Sequence, residues 1–146
     1  MTTPITISIN TLKEILKMRR EIEELFGELK EFIENNDIEG KMETVCETPK
    51  IRFMCMPRGC VIHVMINDYK ARYTLIISDK EPSILNMTII DWTEKTTRIL
   101  DDEDLNKVLK EMNAEEDLKM CVERYVTEKQ DLLNKLNAIK ALFEMV

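Results

Sequence analysis

The sequence predicts an α+β fold: an N-terminal amphipathic helix, an antiparallel β-meander of four to six strands, and two C-terminal helices packed on one face of the sheet. Three observations carry this reading. Apolar residues recur at helical spacing before Asn35 and again after Asp101. Between them, from Met42 onward, the spacing changes to alternation. Two turn signals, Pro57-Arg58-Gly59 and Asn67-Asp68, cut the alternating stretch into runs, and strands joined by short links pair antiparallel. The 146 residues have the size of one domain, 1–146, with helix over 11–36, sheet over 42–100 and helices over 101–146.

The first helix rests on a capping box and a stripe. In Thr11-Leu12-Lys13-Glu14 the threonine hydroxyl can accept the Glu14 amide while the glutamate reaches back. Ile15, Ile22 and Leu29 then fall seven apart, and Met18, Leu25 and Phe32 do the same three places later. This is an a/d seam that serves equally as a core face or as a coiled-coil surface. Asn35-Asn36-Asp37 and Gly40 mark its end. Upstream, Ile5, Ile7 and Ile9 alternate with Thr6 and Ser8 as a short edge strand or an extended arm.

The expected strands are Met42–Glu47, Lys50–Met56, Cys60–Ile66, Tyr69–Ser78, Ile84–Asp91 and Thr96–Leu100, with Asp91 and Arg98 placed to pair across the last turn. Pairing through the first turn sets Cys55 against Cys60, Phe53 against Ile62 and Ile51 against Val64. Pairing through Asn67-Asp68 sets Ile66 against Tyr69, Val64 against Ala71 and Ile62 against Tyr73. One face is then almost wholly apolar and must be covered by the helices. The other carries the rows Lys50–Met65–Lys70, Arg52–His63–Arg72 and Met54–Val61–Thr74. The lone histidine thus lies between two arginines, which would depress its pKa.

Past the sheet, Asp101-Asp102-Glu103-Asp104 opens a short helix to Met112, its acids matched to the helix dipole rather than to a calcium loop. Asn113 with Glu116 reads as the cap of a long helix to about Met145. Leu118, Tyr125, Leu132, Ile139 and Val146 fall seven apart along it.

Composition narrows the function. Hydrophobic residues make 44% and charged residues 34%, as in a folded chain, and ten methionines supplement a core with 5% aromatics. Three glycines leave little for phosphate-cradling loops. A net charge of −7 argues against nucleic acid and anionic membrane, although residues 41–100 carry +2 between ends of −4 and −5. No apolar run approaches the ~20 residues of a membrane span. The start MTTPITISIN lacks a leader's basic and apolar regions, so Cys46, Cys55, Cys60 and Cys121 are expected to be reduced thiols in an intracellular, cytoplasmic or nuclear, setting. Cys55-x4-Cys60 with His63 suggests zinc, but the histidine points to the opposite face. No nucleophile-elbow, P-loop or dinucleotide fingerprint occurs, so the expectation is a non-enzyme with no metal and no cofactor.

The order of helix, antiparallel meander and two helices resembles that of RWD domains over residues 11–146, in topology only. The resemblance implies a non-enzymatic interaction module of the kind often joined to coiled coils, as in kinetochore linker subunits. The family's Tyr-Pro-x-x-x-Pro loop is absent, so no functional residue carries over. Two helices flanking hairpins are similarly prefoldin-like.

Three readings of function follow. The first is a protein-interaction subunit or adaptor, a homodimer or hetero-oligomer, joined through Ile15, Ile22, Leu25, Leu29 and Phe32 and through Leu132 and Ile139. The second is a small acidic inhibitor, viral in character, that occupies a basic or nucleic-acid-binding cleft. The third is anion or nucleic-acid binding on the sheet face by Lys50, Arg52, Arg58, His63, Lys70 and Arg72.

Overall fold

The computed structural model describes residues 7–28, 43–56, 59–78 and 87–144. Helix α1 spans Ile9–Glu28, six strands follow, and α2 (Asp102–Glu111) and α3 (Glu115–Glu144) close the chain. The strands β1 (Glu43–Glu47), β2 (Ile51–Met56), β3 (Gly59–Asn67), β4 (Lys70–Ser78), β5 (Met87–Asp91) and β6 (Thr96–Ile99) pair antiparallel in chain order. This is the expected α+β meander with its three helices.

Helix α1 begins a turn earlier than Thr11 suggests. Ser8 Oγ accepts the Thr11 amide at 3.2 Å, so Ser8 is the cap and the Thr11–Glu14 box does not open the helix. The same capping chemistry is available three residues earlier, and there the Ile9 amide also donates to Asp102 Oδ1 at 2.7 Å. Ile7 and Leu12, at the two staple positions around this cap, are both buried in the main core. Ile7 is therefore a helix-entry anchor, not part of a strand. Ile5, Leu29, Phe32 and the stop signals at 35–40 lie outside the described residues.

The β2–β3 ladder matches expectation residue for residue, with Ile51 opposite Val64, Arg52 opposite His63, Phe53 opposite Ile62 and Cys55 opposite Cys60. The β3–β4 ladder does not. Its two-residue turn is Asp68-Tyr69, because Asn67 Oδ1 accepts the Tyr69 amide at 2.8 Å and makes Asn67 the first turn residue. Moving a loop by one place slides the ladder by two, so the faces survive while the partners change. Ile62 now faces Leu75, His63 faces Thr74 and Val64 faces Tyr73. Register shifts around Met65 leave Ile66 and Arg72 without ladder partners, a local irregularity that turns the end of the hairpin away from the core. Ile66 and Tyr69 are accordingly exposed, Tyr69 at 95%, where strict alternation had them in the core.

Asn113 also changes role. At φ 52° it takes the left-handed conformation that ends helices. Its amide donates to Lys110 O at 3.1 Å and the Ala114 amide to Leu109 O at 2.9 Å, so it closes α2 and does not cap α3. At the other end of α2, Asp101 accepts the Asp104 amide at 2.7 Å as the acidic first turn predicts.

All three helices contribute to the apolar core that covers one sheet face, where Ile51, Phe53, Ile62, Leu75, Ile77 and Ile89 meet Leu12, Ile15, Leu105 and Leu118. A second cluster, Met18, Ile22 and Leu25 with Leu133 and Leu136, joins α1 directly to α3. Among the described residues, the α1 stripe from Leu12 to Leu25 is thus filled from within the chain.

Cys46 and Cys121 form a disulfide across 75 residues, which corrects the expectation that all four cysteines are free. Cys46 lies opposite Phe53 and shares its core-facing side, where α3 passes. Sequence distance concealed that proximity. Among the described residues no helix is long and apolar enough to cross a membrane.

Candidate functional site

The sheet face turned away from the helices is built from residues that alternate with the core. Two rows cross it. Arg52, His63, Thr74, Ile90 and Thr97 form one. Met54, Val61, Ile76, Thr88 and Ile99 form the other. Met54, Val61, Ile76 and Ile90 are half-buried by their neighbours, and Ile99, on the last strand, is 78% exposed.

A polar chain runs through the first row. Trp92 Nε1 donates to Thr74 Oγ1 at 2.7 Å, and Thr74 Oγ1 lies 2.9 Å from His63 Nδ1. This suits a neutral imidazole that accepts the threonine hydroxyl at Nδ1 and carries its own proton on Nε2. Burial pushes the His63 pKa below its ordinary value and the Arg52 charge adds to the effect. The expected depression is present, but its chief cause is desolvation, and Arg52 is the arginine concerned. Arg52 itself donates to Asp68 O at 2.6 Å and lies 3.4 Å from Glu47, so the chain's own acid partly answers it.

Arg72 does not complete the row. It is 3.2 Å from Asp91 and stacks over the Tyr73 ring at 4.9 Å. Arg98, expected opposite Asp91, pairs instead with Asp104 at 3.3 Å. Asp91 sits opposite Thr96, and Arg98 opposite Ile89, so the two side chains leave on different registers. Lys50 Nζ donates to Asn113 O at 2.8 Å, while Lys70 is exposed beside the hairpin turn. Arg58 lies outside the described residues. The structure therefore gathers Arg52 and His63, moves Arg72 and Lys50 into internal contacts, shifts Thr74 from the expected Val61 row to a place opposite His63, and adds Trp92, which sequence reasoning missed. A tryptophan immediately after a strand that ends in Asp91 was the available signal.

The helix positions expected at an interface are placed differently. Ile15, Ile22 and Leu25 are buried against the chain's own elements, and Leu132 and Ile139 are partly buried against the α1–α3 cluster.

The chain matches no protein-family model, no curated protein and no solved structure.

A second polar group, also missed, lies on the helix side. Arg19 is only 6% exposed and bonds Glu43, whose carboxylate also meets Tyr125 Oη at 3.3 Å and Lys129 Nζ at 2.7 Å. Burial and the Glu43 charge push the Tyr125 phenol above its ordinary range. Each partner satisfies another, as burial of charge demands. A small space lies beside them, lined by Arg19, Ile22, Glu23, Glu43, Tyr125, Lys129 and Leu132. This cluster joins α1, β1 and α3.

Proposed function

We propose that this protein is a non-enzymatic interaction module whose open sheet face, rather than its helices, receives a partner segment of alternating apolar and acidic side chains. The carrying observation is the adjacency of two rows: Met54–Val61–Ile76 offers apolar contact, and Arg52 with His63 offers positive and hydrogen-bonding groups beside it. An extended segment with apolar and acidic residues in alternation matches both rows at once. Trp92, half-exposed at the border, adds an amphipathic anchor of the sort enriched at binding hot spots. Half-buried apolar side chains lose little entropy on being covered, which favours docking there over docking on long flexible lysines.

The helical route to assembly, the first expectation from sequence, keeps Leu132 and Ile139 only as half-buried residues, with Leu142 exposed beyond them. An RWD-like interaction role remains part of the proposal on topology alone. The Cys46–Cys121 disulfide stays closed only in a compartment or redox state that does not reduce it.

The chain's single tryptophan makes the test direct. Trp92 emission is followed while the protein is titrated with a model peptide of alternating glutamate and valine, with its lysine counterpart, and with a single-stranded oligonucleotide. A saturable response to the acidic peptide that is lost in Arg52→Glu is expected. Equal responses to the acidic and basic peptides would end the proposal, and preference for the oligonucleotide would replace it with anion or nucleic-acid binding.

A further inference from the structure

We propose that Cys55 and Cys60 are a redox modification site, a cross-strand dithiol that a small organic disulfide converts into the chain's second disulfide. The argument starts from ladder geometry. The Met65 amide donates to Lys50 O at 2.8 Å, which makes Lys50 and Met65 a hydrogen-bonded position of the β2–β3 ladder. Positions alternate along an antiparallel pair, so Ile51/Val64, Phe53/Ile62 and Cys55/Cys60 are all non-hydrogen-bonded pairs. At such positions the Cα atoms stand about 4.5 Å apart with the side chains at their closest. That separation lies inside the range a disulfide spans.

The side chains agree with the backbone. Cys55 and Cys60 face each other directly, both buried, with their sulfurs 2.6 Å apart. Closing the bond requires only a small further approach, to about 2.05 Å. Neither cysteine has a competing partner, because Cys46 and Cys121 are already joined to each other.

The reaction balances as two thiol–disulfide exchanges. One cysteine thiolate attacks a sulfur of the small disulfide, whose sulfur–sulfur bond breaks and releases one small thiol. The second cysteine attacks the protein sulfur of the mixed disulfide and releases the other. Two electrons and two protons pass from the pair to the oxidant, giving one protein disulfide and two small thiols.

Burial sets the rate. The hydrogen bond with Cys55, and then burial, push the Cys60 pKa far above its ordinary value, so Cys60 holds little thiolate. Both sulfurs are buried, so oxidation is slow on the folded chain and faster while the hairpin is open. The bond closes beneath Met54 and Val61, the paired residues just before and after the two cysteines, and stiffens the end of the hairpin that carries them.

Trypsin provides the readout, since it cuts after Arg52, Arg58 and Lys70 and so separates the two cysteines. The full chain is exposed to oxidised glutathione in two ways: as the native protein, and during refolding from its reduced, unfolded form. Remaining thiols are then trapped with N-ethylmaleimide in denaturant, and the digest is analysed by mass spectrometry. The expected product is peptide 53–58 joined to peptide 59–70 through a disulfide, with slower deuterium exchange of the amides around 54–61 in the oxidised protein. The proposal is overturned if both cysteines carry N-ethylmaleimide in both arms. It is equally overturned if they retain glutathione, or if they pair mainly with the peptides that hold Cys46 and Cys121.

Discussion

On one side of the sheet Ile51, Phe53, Ile62, Val64, Leu75 and Ile77 are closed off from solvent; one residue away along the same strands, Arg52, Met54, Val61, His63 and Ile76 remain partly open. The backbone ladders are shared, so the difference comes from what lies above each face. Three helices cover the first, and their stripes at Leu12, Ile15, Leu105 and Leu118 complete its core. The second has apolar and polar side chains shielding one another, and no described helix contributes to it. Alternation thus allots residues to faces, and the fate of a face depends on the elements that return to it.

The largest expected contrast is between adjacent residues of β2. Phe53→Ala should lower stability by about 3–5 kcal/mol, because it empties space in a fully buried part of the core. Urea denaturation would measure it, and a cost similar to that of Met54→Ala would erase the distinction between the faces.

Next is the charged group under the core face. Glu43→Ala takes the Glu43 carboxylate from Arg19, which is held at 6% exposure and keeps Glu23 at 3.9 Å, and removes partners from Tyr125 and Lys129. The loss should be about 2–3 kcal/mol, less than for a fully buried pair because Glu43 keeps some contact with solvent. A double-mutant cycle with Arg19→Met should recover part of it. Additive losses would mean that the two side chains are not coupled.

The open face should carry a pH dependence through His63. His63 has a folded pKa below its unfolded value of about 6.5. The unfolded chain therefore binds more protons in the window between the two values, and stability rises with pH. The contribution is complete above about pH 6.5 and is lost as pH falls towards the folded pKa. Denaturation midpoints of the wild type should drop between neutral and mildly acidic pH more steeply than those of His63→Gln. Parallel profiles would remove His63 from the account. An acidic peptide on this face should raise the His63 pKa and bind more tightly as pH falls.

The smallest effect is Met54→Ala, about 0.5 kcal/mol in stability, since the side chain is only half covered. The same change should weaken binding of the alternating acidic peptide, and a stability loss without any binding loss would make Met54 a structural residue alone.

Much of this was legible in the residues. The seven-residue spacing of Ile15 and Ile22 with Met18 and Leu25 located the buried stripe of α1. Pro57-Arg58-Gly59 located the first hairpin well enough to set Arg52 against His63 and Cys55 against Cys60. The second hairpin was misplaced by one residue because Asn67-Asp68 and Asp68-Tyr69 both satisfy a two-residue loop, and only the Asn67 side-chain bond to the Tyr69 amide chooses between them. That choice replaced Arg72 by Thr74 opposite His63 and brought Trp92 into the site. Asn113 was likewise ambiguous, because asparagine serves both as a helix cap and as a left-handed stop.

The sequence by itself determined the order of elements, the alternation within each strand and the face to which Phe53 or His63 belongs. These are local properties, set by side-chain periodicity and by a few turn residues within short reach. Tertiary structure alone decided that Cys46 meets Cys121, that Arg19 is buried against Glu43 and Tyr125, and that Met18, Ile22 and Leu25 of α1 pack on Leu133 and Leu136 of α3. Those outcomes join residues that are far apart in the chain, and such contacts exist only once the sheet and its covering helices have closed around one core.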